Sequence, residues 1–239
     1  MGRWQDIAIK KNKTDAARAK VFTKIGREIA VAIKTGGGAN PETNSKLRDA
    51  IAKAKANNVP NDNINRIIKK AENDATAGNY EDIIYEGYGP CGVAIIVEAS
   101  TDNRNRTAAE MRHYFDKFGG NLGQAGSVSF MFQRFGVIDL EKGEGFDEDE
   151  MTLFALDNGA EDVIIGEEAC RILVGISGFQ VMVAALQDGG YGLISSEIQY
   201  VPTTESEISD ENDRANMERL LGMIEANDDV MNVYTNWMG

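Results

Sequence analysis

Near residue 78 the apolar residues of this 239-residue chain change period. Before that point they recur every three or four positions; after it, short alternating runs stand between Gly- and Asn/Asp-rich breaks. A stripe at helical spacing can bury one side of a helix, and alternation can bury one face of a strand. The first third must therefore pack helix on helix, and the remainder must pair strands beneath helices. At roughly 150 residues per domain, the length calls for more than one core. With 42% hydrophobic and 26% charged residues, wholesale disorder is excluded.

The spacing predicts a first helix over 14–35, with Phe22, Ile25, Ile29 and Ile33 on one stripe and Val21 and Ala32 at its edges. Gly36-Gly37-Gly38 stops it. Asn40-Pro41-Glu42 then offers an N-cap, an N1 proline and a first-turn acid for a second helix carrying Leu47, Ile51 and Ala54. A third follows Pro60 and buries Ile64, Ile67, Ile68 and Ala71. Three short amphipathic helices make a small bundle.

Charge follows the same division. Residues 1–75 hold 16 Lys and Arg against 8 Asp and Glu, a net of +8, while the rest nets −21. Such asymmetry points to nucleic-acid contact by the basic part, with the acidic body orienting the encounter. At about 100° per residue, Lys13, Lys20, Lys24, Arg27 and Lys34 cluster opposite the first apolar stripe, preceded by Lys10 and Lys11. Arg48, Lys53 and Lys55 flank the second stripe, and Arg66, Lys69 and Lys70 face out from the third. These thirteen are the candidate nucleic-acid-binding residues. Reversing Lys20, Lys24 and Arg27 together is expected to abolish binding and spare the fold, because they avoid the stripe.

After residue 78, strands are expected over 83–87 and 93–99 around the Gly87–Gly92 turn, then a helix over 103–118. A strand over 127–133 follows, with Val128, Phe130 and Phe132 inward. Next comes strand–helix–strand–strand–helix–strand over 137–200, the ferredoxin-like order. A last helix over 210–226 and strand over 230–237 complete the earlier module. The expected fold is α+β and multidomain, with a three-helix domain (1–78) and two ferredoxin-like sandwiches. The inserted one (135–203) divides the other (79–134 and 204–239).

Most candidate chemical motifs have structural explanations. Gly87-Tyr88-Gly89-Pro90-Cys91-Gly92 fits G-x-G-x-x-G but precedes a strand, whereas a dinucleotide loop opens a helix. Asp147–Glu150 reads as first-turn acids rather than a metal site, since an EF-hand wants Gly where Thr152 stands. His113 is alone, Cys91 and Cys170 form no C-x-x-C, and Phe130/Phe132 read as core. The longest apolar run, Val181–Leu186, is far too short to span a membrane. With no signal-like apolar start, a soluble cytoplasmic protein is expected, with no enzyme activity, metal or cofactor. Arg104 and Arg106 are an oddity: cations in a helix's first turn oppose its dipole, so they contact an anion or pair with nearby acids.

Several runs together resemble the YebC/PmpR family, which includes a mitochondrial translational activator. They are Lys20-Val21-Phe22-Thr23-Lys24, Thr35-Gly36-Gly37-Gly38 before Asn40-Pro41, and Ala56-Asn57-Asn58-Val59-Pro60. Further on come Tyr85-Glu86-Gly87-Tyr88-Gly89-Pro90, Thr101-Asp102-Asn103-Arg104-Asn105-Arg106-Thr107 and Gly119-Gly120-Asn121-Leu122-Gly123. The opening departs, with Gly2-Arg3-Trp4 where the family more often has Gly-His-Ser-Lys-Trp. The resemblance implies three domains without a cofactor. It also implies either a DNA-binding transcriptional regulator or a ribosome-associated factor that binds ribosomal RNA and relieves stalling at difficult stretches such as polyproline.

Overall fold

The structure, a computed structural model, describes residues 15–56, 59–73 and 80–239. Three helices come first: α1 (Asp15–Thr35), α2 (Ser45–Ala56) and α3 (Asn61–Asn73). Ile25, Ile29 and Ile33 of α1 pack on Leu47, Ala50 and Ala54 of α2 and on Ile64 and Ala71 of α3. Asn44, only 1% exposed, closes the α1–α2 corner. Its amide donates to the carbonyls of Ala32 (2.8 Å) and Gly38 (2.7 Å), and its Oδ1 accepts from the Leu47 N–H. A Cβ at Gly36 would fall 2.0 Å from that Oδ1, so the corner requires glycine there. The second helix thus starts later than the sequence suggests: Asn44 caps it, and Asn40-Pro41-Glu42 forms a preceding turn.

The remaining elements are β1 (Glu81–Tyr88), β2 (Ala94–Thr101), α4 (Arg104–Lys117), β3 (Asn121–Leu122), β4 (Phe132–Glu141) and α5 (Glu148–Asp157). Then come β5 (Ala160–Ile165), β6 (Ala169–Val174), α6 (Phe179–Asp188), β7 (Leu193–Pro202), α7 (Glu211–Ala226) and β8 (Val230–Thr235). They form two four-stranded antiparallel sheets, β3-β1-β2-β8 and β5-β6-β4-β7. The chain is thus mixed α+β. In the first sheet Ile95, Val97 and Ala99 point into a core with Met111 and Phe115 of α4 and with Met217, Leu220 and Ile224 of α7. In the second, Ile138, Leu140 and Ile172 pack under Met151 and Ala155 of α5 and Met182 and Leu186 of α6. The opposite face of the first sheet meets the second module, where Ala94 and Ile96 pack with Val128 and Phe132.

One expected strand is absent. Residues 129–131 form a single 3-10 turn, and β4 starts at Phe132 and runs unbroken through Glu141. Phe132 is buried as expected, but Phe130 is 70% exposed. The cause is Glu86, buried on β1, whose carboxylate accepts the N–H groups of Gly126, Val128 and Ser129 at 2.8–2.9 Å. Those amides serve the carboxylate, so the segment cannot pair as a strand there.

Candidate nucleic-acid interface

Two cations of the expected α1 face, Lys24 and Arg27, reach into the chain, while Lys34 at its end is exposed. Arg27 Nη1 donates to Asp229 Oδ1 at 2.8 Å and to the carbonyls of Asp228 and Ser100, and its guanidinium lies 5.2 Å from the centre of the Tyr80 ring. Lys24 donates to the Glu225 carbonyl at 3.1 Å. Val31, on the same side of α1, is 8% exposed. The physical reason lies in the sequence: Val31 follows Lys24 by seven residues and Arg27 by four, which puts an apolar side chain inside the cationic stripe. Around residues 24–31, α1 is therefore flanked by helices on one side and by the first α/β module on the other.

Asp229 anchors that contact. Its carboxylate, 4% exposed, also accepts from Arg106 Nη2 at 2.7 Å, Thr107 Oγ1 at 2.7 Å and Thr101 Oγ1 at 3.0 Å. Burial works against its charge, but the hydrogen bonds from Arg106, Thr107 and Thr101 outweigh it and hold the carboxyl below its ordinary value. Glu86 behaves alike: burial raises it, and its three backbone donors carry it below the usual range. Arg106 thus pairs with Asp229 and Asp102, and Arg104 lies 3.7 Å from Glu81. Of the two expected alternatives, Arg106 shows pairing with acids of its own module, and Arg104 lies near Glu81 with its side chain 67% exposed.

A second inward contact gathers α1, α2 and β7. Lys53 Nζ stands 3.4 Å from both Glu28 and Glu197. Burial lowers the lysine's hold on its proton, yet Glu197 and Glu28 overcome this and raise it above the ordinary value. Burial also pushes the Glu28 carboxyl upward.

The other flank of α2 differs. Arg48 and Lys55, seven residues apart and hence on one side of the helix, are both exposed. So are Lys34 at the end of α1 and Arg66, Lys69 and Lys70 on α3. Arg66 hydrogen-bonds Asn63 one turn back at 2.9 Å. The backbone places Lys20 on α1, while Lys10, Lys11 and Lys13 lie outside the described residues. The thirteen candidates thus divide. Arg27 and Lys53 bond carboxylates inside the chain and Lys24 a carbonyl, whereas six cations face solvent.

Sequence reasoning missed Asp229, Glu86, Glu28 and Glu197, all carboxylates whose partners are distant in sequence. His113 is exposed, Asp147 caps α5 by accepting from the Glu150 N–H, and Glu148 pairs with Lys142 at 2.6 Å. Among the described residues, no His/Cys/Asp/Glu group is arranged to hold a metal, and no helix is long and apolar enough to cross a membrane.

Residues 2–74 match the family model for the TACO1/YebC N-terminal domain, and residues 80–237 match that for the second and third domains. A probable transcriptional regulatory protein of Acetivibrio thermocellus is 52% identical over 237 residues, covering 99% of this chain and 98% of that one. Another from Thermoanaerobacter pseudethanolicus is 49% identical over 234 residues, 98% and 94% of the two chains. The crystal structure of a conserved hypothetical protein from Aquifex aeolicus superposes with a TM-score of 0.84 at 42% identity, over 96% and 95% of the chains. The chain belongs to the TACO1/YebC family.

Proposed function

We propose that this protein regulates gene expression by binding nucleic acid, as a DNA-binding transcriptional regulator, through the exposed cations of its helical part. In this reading it is not an enzyme. The observation that carries it is the placement of the cations: Arg27 and Lys53 reach carboxylates across to the acidic modules, whereas those on the other side of α2 and on α3 are exposed at the surface. A solvated cationic surface opposite an acidic body presents one side to a polyanion and turns the other away. If Lys34, Arg48, Lys55, Arg66, Lys69 and Lys70 each neutralise a phosphate, log affinity falls with log salt at a slope of about −5.

A second reading, ribosomal RNA as the ligand in a translation factor, is favoured by the spread of these cations over three helices. A single groove-reading helix would concentrate them. One experiment tests both. The full chain and its Arg66→Glu/Lys69→Glu/Lys70→Glu variant are compared by gel shift on genomic promoter fragments and by sedimentation with ribosomes. A promoter footprint lost in the variant supports the DNA reading. Ribosome co-sedimentation lost in the variant, with weak sequence-blind DNA binding, supports the RNA reading. Equal binding by a folded variant overturns both.

A further inference from the structure

We propose that the cleft between the helical part and the first sheet binds a linear aliphatic diamine. The cleft, about 430 Å³, lies on the face of β1, β2 and β8 that does not carry α4 and α7. Its sheet wall is a register-defined patch, with Asp82 opposite Ser100, Ile84 opposite Glu98, and Glu98 opposite Asn232. Facing it, α1 contributes Glu28, Val31 and Thr35, and α2 contributes Lys46, Asp49 and Ala50. The α1 set is spaced by three, four and seven, and Asp49 and Ala50 follow Lys46 by three and four, which puts each set on one side of its helix.

Four acidic residues, Glu28, Asp49, Asp82 and Glu98, line the cleft with Lys46, which hydrogen-bonds Thr35 Oγ1. At its margins Lys53 pairs with Glu28 and Arg27 donates to the Ser100 carbonyl, which leaves Asp49, Asp82 and Glu98 with no cation of the cleft bonded to them among the described residues. An independent observation marks an unfilled partner. Ser100 is 3% exposed, and its hydroxyl makes no hydrogen bond among the described residues. Buried hydroxyls nearly always find one. By register Ser100 sits across from Asp82 and two residues beyond Glu98, so an ammonium there would meet one hydroxyl and two carboxylates. Glu98 accepts from Asn232 and Tyr234, and Glu28 from Lys53; each carboxylate keeps lone pairs for a further donor.

The spacing selects an extended organic cation over a metal ion. No group of three or more His, Cys, Asp or Glu residues among the described ones is arranged to hold a metal ion. Asp82 and Glu98 are diagonal neighbours on adjacent strands, about 7–8 Å apart, and Glu28 and Asp49 stand on the opposite wall. Between them lie Val31, Ala50 and the half-exposed side chain of Ile84, apolar surface suited to methylenes. Charge at both ends with hydrocarbon between is the pattern of an α,ω-diamine.

Isothermal titration of the full chain with 1,5-diaminopentane, at constant ionic strength and without nucleic acid, tests this. A saturable heat of one diamine per chain is expected, weakened at least about tenfold by Asp82→Asn/Glu98→Gln. Ser100→Ala, which removes an unpaired group and leaves stability unchanged or raised, is expected to weaken it as well. The same heat from magnesium chloride would mark simple counterion attraction and overturn the proposal. So would equal affinity for 1-aminopentane, or undiminished binding in Ser100→Ala and Asp82→Asn chains that melt like the parent. The measurement does not involve the outer cations, so its failure leaves the nucleic-acid reading standing.

Discussion

α1 and α3 carry the same kinds of basic residue and use them in opposite ways. On α1, Arg27 reaches across to a carboxylate almost wholly removed from water; on α3, Arg66, Lys69 and Lys70 are exposed. The difference is not in the cations but in what accompanies them. Val31 gives the basic side of α1 an apolar residue that must be covered, and covering it brings Arg27 to Asp229. The outward side of α3 has Asn61, Asp62, Asn65 and Glu72 beside its cations and no large apolar residue, so nothing draws it inward. A charge count finds both stripes; only the apolar intruder distinguishes them.

That contrast can be broken most forcefully at Arg27. Arg27→Glu sets two carboxylates against each other at a buried site and is expected to cost about 3–5 kcal/mol, read as a lowered urea midpoint. If the outer face is the binding face, the Arg66→Glu/Lys69→Glu/Lys70→Glu variant does the reverse. Its stability should stay within about 0.5 kcal/mol of the parent, while the salt slope of binding shallows by about 3. A variant set in which Arg27→Glu leaves stability intact would dissolve the distinction between the two helices.

A smaller effect is expected at Glu86→Gln, which weakens three backbone hydrogen bonds and replaces one acceptor with a donor. The cost is about 1–3 kcal/mol, with faster amide exchange at Gly126, Val128 and Ser129 and little change in the helical bundle. The smallest is in pH. Asp229 and Glu86 are both held below their ordinary values, so their contribution is complete above the unfolded carboxyl range of about 4. It is lost as pH falls through the lower folded values. Glu28, raised by burial, works in the opposite sense and offsets part of that loss. Acid titration of the melting temperature should therefore fall below about pH 4, and less steeply in Asp229→Asn than in the parent.

Much of the architecture was legible because it is local. The α1 stripe, the Gly36 stop and the α7–β8 tail follow from spacing and breaker residues within a few positions. The expected strand over 127–133 failed because its amides are claimed by Glu86, some forty residues earlier, and no local pattern announces a carboxylate that accepts main-chain donors. The start of α2 slipped from Asn40 to Asn44 because both can cap, and only the second also satisfies the end of α1. Of the candidate interface, α3 and the outer flank of α2 lie exposed as their patterns suggested. Arg27 and Lys53 did not stay outward, since their carboxylate partners Asp229 and Glu197 stand 202 and 144 positions downstream. Val31 was the available signal for Arg27.

Lys53 joins three parts of the molecule through a single side chain: Glu28 on α1, Glu197 on β7 and its own helix α2. Sliding the bundle away from the second sheet separates the lysine from Glu197 while its pairing with Glu28 inside the bundle is kept. Any movement of the bundle against the second sheet has to part the Lys53–Glu197 pair first, so the lysine serves as a catch between them.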